Sequence, residues 1–159
     1  MPPPSSRWSE YRHRRQVQFH EVDSFGIVHF SWFFRYMAEA QHALWRAAGL
    51  SVASPGSDIG FPIVSTAFEY RRPLHFEDEF ELCIRVAAMS ERTMRYECLL
   101  RRDGELLATG TITIVCVSKQ SQQIKAIPFP PEIAARFEVA ANEATAVAAA
   151  PGSPGTTGC

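Results

Sequence analysis

The sequence predicts an α+β domain made of one long helix and an antiparallel sheet of about five strands. Three observations carry this. Between Ser31 and Ala48 there is no Gly or Pro, and Phe33, Met37, Ala40, Leu44 and Ala47 recur at three- and four-residue spacing, with Arg35, Glu39, His42 and Arg46 on the other side. β-branched and aromatic runs fill residues 63–74, 79–89, 93–102 and 106–119, separated by turn signals. At 159 residues with 46% hydrophobic content, the chain suits a single core.

Taken in order, Val17 and Phe19 alternate with Gln16, Gln18 and His20, which predicts a short strand with one covered face. Residues 21–26, EVDSFG, read as a turn. The helix follows, with Ser31 as N-cap, Gly49 as the C′ glycine and Pro55-Gly56 in the connection beyond. In the next strand pair, Phe80, Leu82, Ile84 and Val86 alternate with Glu79, Glu81, Cys83 and Arg85, so one face is buried and the other wetter. Arg102-Asp103-Gly104-Glu105 fits a tight hairpin, because Asp-Gly supplies the positive φ such turns require. Residues 106–117 are apolar on both faces, as in a central strand.

The ends differ from this middle. Within residues 1–7, residues 2–6 read PPPSS, and residues 138–159 are mainly Ala, Thr, Gly, Pro and Ser, so neither end has the large apolar side chains that offset ordering entropy. Both are expected to be mobile tails around a folded unit at 8–137. One helix cannot cover all of a curved sheet, so a homo-oligomer, a dimer or a tetramer, is expected to bury the remainder.

Lys+Arg 16 against Asp+Glu 17 gives a net charge of -1, which offers no general field for nucleic acid. No run reaches the ~18 apolar residues of a membrane span, and the start of the sequence has no apolar stretch of signal-peptide type, so a cytoplasmic location is expected, with no membrane partner. Cys83, Cys98, Cys116 and Cys159 form no CxxC pair and read as free thiols, buried where they fall in strands.

Chemistry concentrates in residues 19–36, FHEVDSFGIVHFSWFFRY. Asp23 lies in the turn, Gly26 three residues later, and the helix opens just beyond Ile27-Val28. A carboxylate is thereby set beside unpaired N–H groups at the positive end of a helix dipole, a minimal device for acyl transfer to water.

This segment resembles the D-x-D-x-x-G-x-V-x-x-x-x-Y/F-x-R-Y/W signature of the hotdog-fold acyl-CoA thioesterases, in the branch of 4-hydroxybenzoyl-CoA thioesterase and the YbgC-like enzymes. The resemblance continues through Gly60-Phe61-Pro62-Ile63-Val64, the Arg92-Thr93 turn and Lys125-Ala126-Ile127-Pro128. It implies a hotdog fold, a long helix wrapped by a curved antiparallel sheet, and hydrolysis of an acyl-CoA or acyl-carrier thioester to the free acid and thiol. No metal or redox cofactor is implied; coenzyme A enters only as part of the substrate.

By the same resemblance Asp23 is the nucleophile or general base, and the backbone N–H of Phe30 polarises the thioester carbonyl, with Gly26 allowing close approach of the loop. Arg92, Thr93 and Lys125 match positions that hold coenzyme A phosphates, and Trp32 and Phe61 are the best candidates for lining the acyl site. His29 is a further acid/base candidate, against the alternative that it is a structural donor at the helix start. Glu21 stands where the family more often has Asp, and Trp32 where Asn is frequent. Two other readings stay open: a hotdog enoyl-CoA hydratase or dehydratase using Asp23 with His29, and a non-catalytic acyl-CoA-binding module.

Overall fold

In the computed structural model of the chain, residues 6–141 are described. Their elements are β1 (Glu10–Gln16), α1 (Phe30–Ala47), β2 (Ile59–Gly60), β3 (Ile63–Tyr70), β4 (Glu79–Met89), β5 (Thr93–Arg102), β6 (Glu105–Val115), β7 (Val117–Ser118), β8 (Lys125–Ala126) and the single turn α2 (Pro131–Ala134). Five strands form one antiparallel sheet in the order β1-β4-β5-β6-β3, and β2, β7 and β8 form a small second sheet. Register shifts between Val86 and Ala88, and between Leu100 and Arg101, mark where β4 and β5 depart from a regular ladder, irregularities of the kind that bend a sheet.

The core lies between α1 and the inner face of this sheet. Phe33, Tyr36, Met37, Ala40, Leu44 and Trp45 are buried along one side of α1. They meet Leu82, Ile84 and Val86 of β4 and their register partners Leu100, Cys98 and Tyr96 of β5, all buried. Each large side chain so buried contributes about 1.5–3 kcal/mol. Trp45 donates its indole N–H to the Tyr96 hydroxyl at 2.8 Å, so these two buried polar groups are matched.

α1 runs one residue earlier at each end than the expected 31–48. His29, not Ser31, is the N-cap, because the His29 ring reaches Ser31 N while Ser31 already lies in the first turn. At the other end Gly49 takes φ 78°, its N–H bonds to Arg46 and that of Leu50 to Trp45, a complete Schellman stop. The hairpin at Asp103-Gly104 has φ 50° and 80°, as the Asp-Gly pair predicts.

The first strand is displaced from its expected place at 16–20 to residues 10–16. Phe19 is 74% exposed, so the Val17/Phe19 alternation does not mark a covered face, and residues 19–21 instead make one turn of 3-10 helix. The inward side chains of β1 include Tyr11, His13 and Arg15, a pattern that hides a strand from a hydrophobicity count. The long run at 106–119 is divided, because Cys116 turns its N–H to the Arg92 carbonyl before β7 joins the small sheet.

Hydrogen bonding continues past residue 137: Glu138 N–H bonds to Trp8 and Ala140 N–H to Val86. The remainder of the two expected tails, residues 1–5 and 142–159, lies outside the described residues. Cys98 and Cys116 are free and buried, whereas Cys83 is disulfide-bonded, a pairing that spacing along the sequence does not reveal. No helix among the described residues is long and apolar enough to cross a membrane. β3 forms one edge of the large sheet, and Ile63, Val64 and Tyr70 on it are 45–60% exposed.

Candidate active site

Residues 21–29 form a narrow hairpin rather than a loose turn. His29 N–H bonds to the Glu21 carbonyl at 2.9 Å, Val22 bridges Val28, and Asp23 N–H bonds to the Ile27 carbonyl at 2.8 Å. Its returning strand is fixed to the β3–β4 connection by Val28 N–H on the Leu74 carbonyl and a bridge between Ile27 and His75. Asp23 thus sits at the hairpin end, half-buried, and its Oδ1 accepts the N–H of Phe25 at 2.8 Å. The second carboxylate oxygen accepts no hydrogen bond among the described residues, which leaves it available for substrate or water.

Gly26 takes φ 77° at the hairpin tip, and a Cβ there would meet nothing within 4 Å. Within one chain its requirement is therefore left-handed backbone, not the close approach the family resemblance suggested.

The hairpin leads directly into α1, whose first residue is Phe30. Its N–H has no partner among the described residues, so an unsatisfied donor at the helix start lies next to the hairpin that carries Asp23. Tyr70 of β3 donates its hydroxyl to the Phe30 carbonyl at 3.1 Å and packs against Phe33, so this first turn is braced from the sheet edge. His29 Nδ1 lies 2.8 Å from Ser31 Oγ and accepts from Ser31 N, which commits that nitrogen to capping the helix. The Phe25 and Phe30 side chains are 89% and 60% exposed, and the Phe30 ring packs against His29. Trp32 turns instead toward His20 and lies beneath the Arg35 guanidinium.

The remaining expected residues gather elsewhere. Phe61 stacks on Phe129 and packs against Trp45 near the far end of α1, about 20 Å along the helix from Phe30 by its rise per residue. It lines an open cavity of ≈590 Å³ with Gly60, Val117, Lys119 and Ile124. Lys125 pairs with Ser118 in the same small sheet, and the Arg92-Thr93 turn joins it through Cys116. Thr93 Oγ1 is 2.6 Å from Ser90 Oγ, so its hydroxyl already has a partner. The chain therefore has two clusters, Asp23 with Phe30 at one end and Phe61, Arg92, Thr93 and Lys125 at the other.

Behind the hairpin lies a group that residue spacing did not reveal. Glu21 is fully buried, and Arg15, Tyr36 and the Gln18 N–H all donate to its carboxylate. Burial alone would raise its pKa, but these donors more than offset that and hold it below the ordinary carboxylate value. Burial and the adjacent carboxylate push the Tyr36 hydroxyl well above its usual range, so it remains a donor. No local sequence signal marks this group, because Arg15, Glu21 and Tyr36 come from a strand, a turn and a helix.

Residues 17–137 match the family model described as the thioesterase-like superfamily. The chain belongs to that superfamily. A protein of Aquifex aeolicus named only as a candidate esterase is 32% identical over 123 residues, covering 76% of this chain and 92% of its own. A 1,4-dihydroxy-2-naphthoyl-CoA hydrolase of Prochlorococcus marinus is 25% identical over 124 residues, covering 72% of this chain and 82% of its own. The crystal structure of a 1,4-dihydroxy-2-naphthoyl-CoA thioesterase from Synechocystis superposes with a TM-score of 0.75 at 20% identity, covering 80% of this chain and 95% of the other. The architecture is accordingly the hotdog fold of this superfamily, and two of these relatives are named as a hydrolase and a thioesterase of a coenzyme A thioester.

Proposed function

We propose that this protein is an acyl-CoA thioesterase in which Asp23 acts as nucleophile or general base and the Phe30 N–H receives the thioester oxygen. The observation that carries the reading is the Asp23 hairpin running directly into a helix whose first N–H is unpaired. As charge develops on the carbonyl oxygen, a fixed N–H at the positive end of α1 stabilises it without reorganising. Asp23 then either attacks the carbonyl carbon, giving an acyl-enzyme that water cleaves, or takes a proton from the attacking water. The leaving thiolate is a good leaving group, so the reaction as proposed calls for no metal or redox cofactor.

A complete site on this reading needs two subunits. β3 is eight residues long with an exposed edge bearing Ile63 and Val64. Pairing two such edges antiparallel about a two-fold axis places the Ile63 end of one strand beside the Tyr70 end of the other. Because Tyr70 braces Phe30 and Ile63 follows Phe61, the Phe61, Arg92, Thr93 and Lys125 cluster of one subunit then approaches the Asp23 hairpin of the other. In that arrangement Arg92, Thr93 and Lys125 hold the coenzyme A phosphates and Phe25, Phe30 and Phe61 face the acyl group. The named relatives favour an aromatic acyl-CoA over the narrower assignment to the 4-hydroxybenzoyl branch, and a cytoplasmic location suits such a substrate.

Thiol release from aromatic, short-chain and long-chain acyl-CoAs, followed with a thiol-trapping dye, tests the reading. Thiol release from an aromatic acyl-CoA supports it. Binding across the panel without turnover would favour the non-catalytic module, and water addition to an enoyl-CoA without thiol release would favour the hydratase.

A further inference from the structure

The Glu21 carboxylate holds both halves of the catalytic device, and we infer that it is a positioning residue for Asp23 and for the Phe30 N–H; the inference rests on the thioesterase reading above. Around it, Gln18, Phe19 and His20 are exposed, yet Glu21 itself is fully buried. Oε1 accepts Arg15 Nη1 at 2.7 Å, Gln18 N at 2.8 Å and the Tyr36 hydroxyl at 2.9 Å, while Oε2 lies 2.6 Å from Arg15 Nη2. Arg15 is fixed in turn by Glu39 Oε2 at 2.8 Å and by the Tyr36 ring, 4.6 Å beneath its guanidinium. Three elements, β1, the turn at 19–21 and α1, thus converge on one side chain.

The main chain of the same residue leads to the chemistry by two short routes. Forward along the chain, Asp23 is two residues away. Across the hairpin, the Glu21 carbonyl accepts the His29 N–H, and the next residue is Phe30. A displacement of Glu21 therefore moves carboxylate and oxyanion donor together. Burying an ion pair is a costly way merely to hold β1 against α1, since an apolar cluster of similar volume often serves as well. What it adds is direction, because charge-assisted hydrogen bonds fix orientation as well as distance. Misplacing a reacting group by an ångström can cost about 10²-fold in rate.

Glu21→Gln tests this with little change in volume. Every group facing the carboxylate is a donor, so the amide sets N–H against N–H and the side chain must shift. Tyr36→Phe removes one donor and spares the ion pair, and serves if the first variant does not fold. Both are assayed well below their melting temperatures beside Asp23→Asn. The expected result for Glu21→Gln is kcat reduced about ten-fold or more with KM within about three-fold of the parent, and for Tyr36→Phe a smaller fall in kcat with KM kept. A folded Glu21→Gln, or failing that a folded Tyr36→Phe, with parental kcat overturns the inference whatever its melting temperature. If Asp23→Asn is inactive in that case, the thioesterase reading stands and only the positioning role falls; a parent without thiol-releasing turnover overturns both.

Discussion

Glu21 gives the molecule a pH dependence whose sign is fixed by its surroundings. Arg15 of β1, Gln18 N–H and His20 of the turn, and Tyr36 and Glu39 of α1 face it or its arginine; burial would raise its carboxyl, but the donors Arg15, Gln18 N–H and Tyr36 hold it below the ordinary value of 4.5. A depressed carboxylate contributes stability that is fully present above its unfolded value and is lost as pH falls through the folded value. The melting temperature is therefore expected to fall on acidification below about pH 4.5, and the gap between the parent and Glu21→Gln to narrow over the same window. A gap that stays constant from pH 7 to pH 3 would contradict the network. That Asp23 and Gly26 lie in a turn just ahead of the helix was legible in the sequence, since acid, spacing and glycine form a local pattern. The Arg15–Glu21–Tyr36 contact was not, because it joins a strand, a turn and a helix whose mutual placement no local pattern encodes.

Among elements, α1, β4 and β5 could be read nearly to the residue, because a full 3.6-residue period and well-marked turns bound them. β1 could not, since its inward positions include His13 and Arg15, satisfied by partners far along the chain. β3 meets β6 in a different way. Gly110 lies opposite Phe68, and a Cβ built on it would fall 2.6 Å from the Phe68 ring, which itself packs against Phe33, Phe34 and Tyr70. Gly110→Ala is accordingly expected to cost about 1–3 kcal/mol by overpacking, a melting-temperature drop of several degrees. Adding Phe68→Leu should recover part of that loss in thermal unfolding, and no drop in the single variant would show that the ring moves freely away.

Over the whole molecule, the sequence anticipated one long helix and an antiparallel sheet of about five strands, but not how the expected site residues divide between two ends of the chain's fold. That division follows from α1 and β3 spanning the same distance, about 27 Å each at their usual rise. If β3 edges pair, Val64→Lys places a charge on a strand edge and is expected to convert a dimer to monomer in analytical ultracentrifugation, with turnover lost and the protomer still folded. An unchanged mass would mean that this edge is not the subunit contact.

The central claim is that Asp23 does chemistry rather than shaping its turn, and one substitution separates the two. Asn is nearly isosteric and can accept the Phe25 N–H as Asp23 does, so the hairpin is kept, but an amide neither attacks a thioester nor takes a proton from water. The decisive measurement is the turnover of Asp23→Asn on the best acyl-CoA substrate, with melting temperature and substrate binding recorded on the same preparation. A loss of at least ~10²-fold in kcat with both controls near parental values is the expected result. Near-parental turnover would contradict the account and leave Asp23 as a turn residue only.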